Sequence, residues 1–393
     1  MSKRPIANAA LDGKPAQGAG RLRLATLANF VFFVSVTIFF TLPVHLEALG
    51  ATRSEVGRIM GSFGAVSLWA IPLTGVLADR FGRRPFLALG SLLWCAAALA
   101  YVPLVALGPG TYALRMLQGL AFSLVFVSTN ALVVDLAPEG QLGRAIAIFG
   151  TATLAAHAVG PSAAEWAVRH IHFRGVFVAA AALGALSLLL FSALGEVSAP
   201  RQPAAGAVTL RSLLLRRGAG STLWAAFCAA GAFGCAIHFM AVFVRARGLG
   251  SHAPFFVSYV AFAVLVRFVF GGLGDRVGHS RVALHATVLF AVAVFGLAFV
   301  RSIPLLVLCG AGFGAAHGMS YPSLNALFVE GAPPYARARA MAAFNLAFNL
   351  GVTLAAFAAG ELAERAGYAA MWICFAGLAL AGSLGLWRAN AAA

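Results

Sequence analysis

Uninterrupted apolar runs recur along this chain at about the length a helix needs to cross a bilayer, and short polar or glycine-rich breaks separate them. They predict helices at roughly 22–45, 54–78, 84–105, 111–135, 143–167 and 175–194, then at 221–245, 254–274, 282–300, 304–329, 338–361 and 369–387. Between the two sets lies a polar stretch, 195–220, with Pro200, Pro203, Arg201, Arg211, Arg216 and Arg217, which reads as a linker. The pattern predicts an all-α membrane protein with twelve transmembrane helices.

One break concentrates charge. Gly75 to Pro85 reads GVLADRFGRRP, with Asp79, Arg80, Arg83 and Arg84 arriving where an apolar run stops. Gly75 lets a neighbouring helix approach closely, and Gly82 permits a tight reversal before the next run. The pattern returns as GGLGDRVGHSR, so that Gly75, Asp79 and Gly82 match Gly271, Asp275 and Gly278. Asn130, Asp135 and Arg144 correspond in the same way to Asn325, Glu330 and Arg339, and Glu165 falls opposite Glu361. This duplication predicts two pseudo-symmetric six-helix bundles, 22–194 and 221–387. A tail at 1–21, the linker at 195–220 and a tail at 388–393 complete the expected organisation.

Composition narrows the function. With 61% hydrophobic and 10% charged residues, this is not a soluble domain. The net charge of +16 does not imply a nucleic-acid partner, because the basic residues are not clustered into a reading surface. They favour the loops of one side: with the N-terminus inside, inner segments carry more than twice the Lys and Arg of outer segments. Both termini and both charged hairpins are then expected in the cytoplasm. Residues 1–21 lack a cleavable signal pattern, so the first span is expected to persist. Cys95, Cys228, Cys235, Cys309 and Cys374 lie in apolar runs, without metal-ligand spacing or a disulfide framework. The 12 acidic residues fall mostly at helix ends, and no nucleophile triad or phosphate-cradling loop is present, so neither an enzyme nor a metal site is expected. Transport fits better, since it needs a polar-lined cavity between two halves and a gate that closes alternately on either side.

The run G-x-L-A-D-R-x-G-R-R from Gly75 to Arg84 resembles the signature loop between the second and third spans of the major facilitator superfamily of transporters. Its second copy stands at the equivalent place, with His279 and Ser280 replacing Arg83 and Arg84. The resemblance implies a major facilitator fold in a bacterial cytoplasmic (inner) membrane, acting as a monomer among lipids. It implies alternating access to a small-molecule substrate, no cofactor and a proton gradient as the energy source. In similar proteins the signature aspartate packs against the cytoplasmic start of helix 11. Carried over, this makes Gly75, Asp79, Arg83 and Asp135 a latch of the outward-facing state, with Gly271, Asp275 and Glu330 as its second copy. Gly160-Pro161 in helix 5 resembles the antiporter motif that separates exporters from importers, although Ala156, Ala163 and Ala164 stand where glycine is expected. The implied activity is proton-coupled efflux; proton-coupled uptake and a transporter-like receptor or scaffold are the alternatives.

Arg115, Gln118 and Gly119 resemble the R-x-x-Q-G motif in helix 4 of proton-coupled members. At 100° per residue, Arg115, Gln118, Phe122 and Thr129 share one polar-aromatic stripe about 60° wide. His317, Tyr321 and Asn325, four residues apart, form another on helix 10. Helix 1 presents Asn29 and Phe33, and helix 7 presents His238. By the same resemblance helices 1, 4, 7 and 10 line the pathway, which makes these the expected substrate contacts. No carboxylate lies deep in a span, so a proton must use Glu165, Glu361 or a histidine such as His157. Glu165 either reaches towards His157, two turns deeper, or sits solvated at the outer rim. Arg267 shares a face with Gly271 and Asp275 and reads as a structural partner near the inner gate. An arginine at 115 without a deep acid favours carboxylate-bearing or neutral substrates over quaternary ammonium compounds.

Overall fold

The computed structural model describes residues 14–138, 140–195, 213–333 and 336–391, and among these the chain forms helices and no strand. The first part comprises α1 (Lys14–Ile38), continued by a 3-10 turn into α2 (Leu42–Ala48), then α3 (Arg53–Phe81), α4 (Arg84–Ala100), α5 (Pro109–Leu136) and α6 (Leu142–Ala193). The second comprises α7 (Ala219–Ala246), α8 (Ala253–Phe270), α9 (Leu273–Val277), α10 (His279–Leu297), α11 (Ile303–Glu330) and α12 (Arg337–Ala391). Nine helices among the described residues are long and apolar enough to cross a membrane, and Arg84–Ala100 is a shorter apolar one. Most of the expected linker lies outside the described residues, as do 1–13 and 392–393, while 14–21 and 388–391 of the expected tails belong to α1 and α12 and Ala219 and Gly220 to α7.

Two expected loops are single-residue breaks. Where separate helices at 143–167 and 175–194 were expected, α6 runs for 52 residues and leaves helical geometry only at His172 (φ 56, ψ 174). In α12, 55 residues long, the break is Gly367 (φ 82, ψ 169). Each side of a break is itself an apolar rod. Gly82 (φ 87, ψ 166) and Gly278 (φ 94, ψ 131) turn the two charged hairpins in related conformations. That region of backbone space is open to glycine and costs other residues about 1–3 kcal/mol, so His172 is held there by the rods on either side. The polar residues expected to form loops, Arg169, His170 and Arg174 at one break and Glu364 and Arg365 at the other, instead continue the rods.

Helices pack first with their own part of the chain. α1 lies along α5 and α6, α3 along α5, and α4 along α5 and α6. In the second part α7 and α10 lie on α12, and α8 and α10 on α11. The two parts meet chiefly where α3 faces α12 and α6 faces α8. Large apolar side chains such as Trp69 and Phe268 are more than three-quarters exposed on the outside, as lipid-facing residues are. Some buried polar groups pair with one another inside: Trp94 Nε1 donates to Ser35 Oγ at 2.8 Å, which donates to the Ala180 carbonyl at 2.6 Å.

Without water to exclude, helices in lipid associate by close packing, which favours small residues at contacts. Gly310, Gly314 and Gly318, four apart on α11, each meet the α8 backbone: a Cβ on Gly314 would stand 2.0 Å from the Tyr259 carbonyl oxygen. Gly57, Gly61 and Gly64 form a similar stripe on α3 against Ala356, Phe357, Gly360 and Thr353 of α12. Gly314→Ala is expected to destabilise the fold by about 1–3 kcal/mol through forced separation of α8 and α11. The unfolding midpoint of detergent-purified protein should fall by several degrees, whereas Gly377→Ala, which meets nothing within 4 Å, should leave it unchanged.

Candidate functional site

At the end of the molecule where α3 and α8 begin, acids of one part bind the helix N-termini of the other. The first N–H groups of a helix have no partner within it and carry partial positive charge, so a carboxylate is the natural complement. Glu165 on α6 accepts hydrogen bonds from Ser251 Oγ, the His252 N–H and the Ala253 N–H at 3.0, 3.0 and 3.1 Å, at the start of α8. Arg169, one turn on, pairs with Glu165 and donates to the Gly250 carbonyl. The relation is mirrored across the molecule. Glu364 on α12 accepts from the Arg53 N–H at 2.8 Å and Glu361 from Ser54 Oγ at 2.7 Å, both at the start of α3. Arg365 pairs with Glu361 at 2.5 Å as Arg169 does with Glu165. The guanidinium of Arg53 lies 4.4 Å over the Tyr368 ring, and Tyr368 donates to Glu47 at 3.1 Å.

This placement corrects both readings of Glu165. Its side chain is 13% exposed and committed to α8, so it is neither solvated at a rim nor directed to His157, whose Nδ1 meets the Thr153 carbonyl at 3.0 Å. His252 sits in the same clasp, with Nδ1 3.2 Å from Glu165. Burial holds its pKa below the ordinary value, against the pull of Glu165. Sequence reasoning missed Arg53, Ser251, His252 and Tyr368. A signal was available in Leu49-Gly50 and Leu249-Gly250, which recur just before α3 and α8.

At the opposite end, the two charged hairpins form matching triplets. Arg83 bridges Asp79 at 2.8 Å and Asp135 at 3.4 Å, and His279 bridges Asp275 at 3.4 Å and Glu330 at 3.3 Å. The substitution at 279 therefore preserves the bridge that Arg83 makes and exchanges a permanent charge for a titratable one. Each triplet stays within its own part of the chain, and Asp79, 74% exposed, is not buried against another helix. An added Cβ on Gly75 would meet only Val127, at 3.9 Å, while one on Gly271 would stand 2.4 Å from the Arg267 carbonyl oxygen.

Between these ends lie the expected pathway residues. Asn29 donates to Thr153 Oγ1 at 2.8 Å, and Phe33 and Phe122 meet edge to face at 5.8 Å. Arg115, fully inside the protein, donates to Gln118 Oε1 at 2.8 Å and stacks 4.8 Å over the Phe63 ring, with its Nε unpartnered. His238 is buried with Nδ1 unpartnered. On α11, His317 Nδ1 lies 3.1 Å from the Tyr259 hydroxyl and its ring stacks on Phe233 at 4.7 Å. Tyr321, one turn along, donates to Asn345 Oδ1 at 3.0 Å, and Asn325 is half-buried one turn further. Arg267 overturns its expected role: Asp275 is engaged by His279, no ion pair joins Arg267 to an acid among the described residues, and its Nε has no partner.

A family model described as Major Facilitator Superfamily matches residues 24–266 and 255–391. The multi-drug resistance efflux pump PmrA of Streptococcus pneumoniae is 27% identical over 375 residues, covering 89% of this chain and 91% of its own. An uncharacterised MFS-type transporter of Burkholderia mallei is 28% identical over 388 residues, covering 93% and 91%. Among solved structures, the nucleoside transporter NupG shares the fold with a TM-score of 0.77 at 16% identity, over 94% of this chain and 99% of that one. A bacterial homologue of the human lysosomal transporter Spinster does so with a TM-score of 0.77 at 14% identity, over 96% and 98%. This multi-pass membrane chain is a transporter of small molecules rather than an enzyme, and it belongs to the Major Facilitator Superfamily.

Proposed function

We propose that the protein exports a small organic molecule in exchange for protons across a bacterial inner membrane, with both termini and the Asp79 end in the cytoplasm. The bundles 22–194 and 221–387 rock about the pathway residues Asn29, Phe33, Arg115, Gln118, Phe122, His238, His317, Tyr321 and Asn325. The observation that carries this reading is the mirrored pair of clasps, Glu165 on the start of α8 and Glu361 with Glu364 on the start of α3. They tie one half to the other on the outside through charged groups. The efflux pump PmrA, 27% identical, supports export, as does Gly160-Pro161 in α6. The alanines around that pair keep uptake as the second reading.

A carboxylate at a helix N-terminus contributes about 0.3–1 kcal/mol, and up to about 2 when partly buried; about 1.4 kcal/mol is tenfold in population. Loss of the Glu165 charge that α8 stabilises weakens outer closure. His252 acts in the same direction. Its pKa is lowered in the clasped state, so that state favours the neutral ring, and acidification through the ordinary histidine range of about 6.5 costs closure free energy. External acid thus opens the outside, and the Asp79 triplet then latches the inside against the start of α12. His157 is the deeper candidate for carrying the proton.

Glu165→Gln is expected to insert normally and to raise the outward-facing population several-fold, while Asp79→Asn shifts it inward. Cysteine accessibility from each side, in a background lacking native cysteines, reads both, and unchanged accessibility in Glu165→Gln would sink the clasp. Transport by Glu165→Gln and His157→Ala should also lose pH dependence; if both keep it in full, neither residue carries the proton. Everted vesicles under an imposed pH gradient should accumulate substrate. Accumulation by right-side-out vesicles instead indicates uptake, and accumulation by neither indicates a scaffold.

A further inference from the structure

Among the described residues the acids lie at or near the ends of the rods. Two arginines stand within apolar helices, Arg115 on α5 and Arg267 in the last turn of α8, before the chain continues into α9. Arg115 has Gln118 and the Phe63 ring as partners, although its Nε is left without one. Arg267 has no hydrogen bond, ion pair or ring contact among the described residues. Its Nε is buried without a partner, and its neighbours are neutral groups on which its charge acts: Tyr259, Tyr321, His317 and His157. An arginine inside a membrane protein costs several kcal/mol unless it faces water or an anion. A paired structural arginine would have an acid beside it, and the one nearby in sequence, Asp275, is held by His279.

We propose that Arg267 is the anchor of an organic-anion site, taking the carboxylate of a flat, aromatic or otherwise apolar acid. The surroundings suit such a molecule. His317 stacks on Phe233 at 4.7 Å with an interplanar angle of 12°, and His157 lies 6.2 Å from the same Phe233 ring. The His317 ring also lies 6.1 Å from the Tyr321 ring, one turn along α11. The Tyr259 hydroxyl lies 3.1 Å from His317 Nδ1; in the tautomer in which the hydroxyl donates, the His317 proton is on Nε2, a second donor for the anion. The guanidinium fork matches a carboxylate in two parallel hydrogen bonds, which an ammonium cannot do. The site joins residues of α6 and α8, so a bound anion contacts both halves.

The inference rests on the reading of the chain as a transporter and names its substrate class. The test uses full-length protein in detergent with benzoate, salicylate and indole-3-acetate as probes, against benzamide and tetraphenylphosphonium. At least one carboxylate should raise the unfolding midpoint in a saturable way, and benzamide should not. Arg267→Gln should weaken that carboxylate at least about tenfold, and Arg267→Lys, which keeps the charge and loses the fork, by several-fold. Should Arg267→Gln not fold, the lysine variant decides. Stabilisation by none of the three acids, or equal affinity in Arg267→Lys and wild type, overturns the site. Carboxylate binding without transport in proteoliposomes leaves the site standing and counts against proton-coupled efflux. Transport of tetraphenylphosphonium with no carboxylate binding does the reverse.

Discussion

A carboxylate set on the bare N–H groups of a helix from the other half of the chain is the interaction on which this arrangement depends. Glu165 on α8 and Glu364 on α3 close the molecule at one end without any large buried apolar patch being created or lost there. In lipid such a patch could not drive closure, because the solvent is as apolar as the surfaces it would join. Close-packed glycines bring α3 and α12 into register, and the charge on the helix end decides whether they stay. The contact is modest, which is what a two-state machine needs: a bond of many kcal/mol would hold one state permanently.

Charge is also what the interior withholds. With the acids spent at the ends, the middle contains arginine, histidine, tyrosine and phenylalanine, none of which neutralises another. The partners of Arg115 are therefore a side-chain dipole and a ring face, and Arg267 has no ion pair among the described residues. Their electrostatic need is unmet by the protein itself and defines the chemistry of what can enter.

Much of the fold was legible in the sequence because the bilayer imposes length and apolarity on each span separately, so a local reading suffices. The repeat of the charged hairpins was legible for a similar reason: Gly82 and Gly278 fix related backbone turns, and the acids flank them at fixed spacing. What failed was reasoning that needed a second helix. Arg267 shares a face with Asp275, yet a residue four places on, His279, captures that acid once the chain reverses. Glu165 finds its partners 86 to 88 residues away, across a boundary that no periodicity along α6 reveals. The breaks at His172 and Gly367 were read as loops because polar residues interrupt the apolar runs there, Arg169, His170 and Arg174 at one and Glu364 and Arg365 at the other, yet these residues stay in the rods and only one residue leaves helical geometry.

The mirrored clasps have a consequence for descent. In each, an acid near the end of one half's fifth rod reaches the start of the other half's second rod, and exchanging the halves exchanges the two contacts. Two identical half-length chains related by a two-fold axis would make the same pair of contacts as a single self-complementary surface used twice. The present closure is thus an isologous dimer interface carried inside one polypeptide. Joining the copies freed each to diverge, and the histidine at 279 opposite the arginine at 83 is a difference that a true homodimer could not have held.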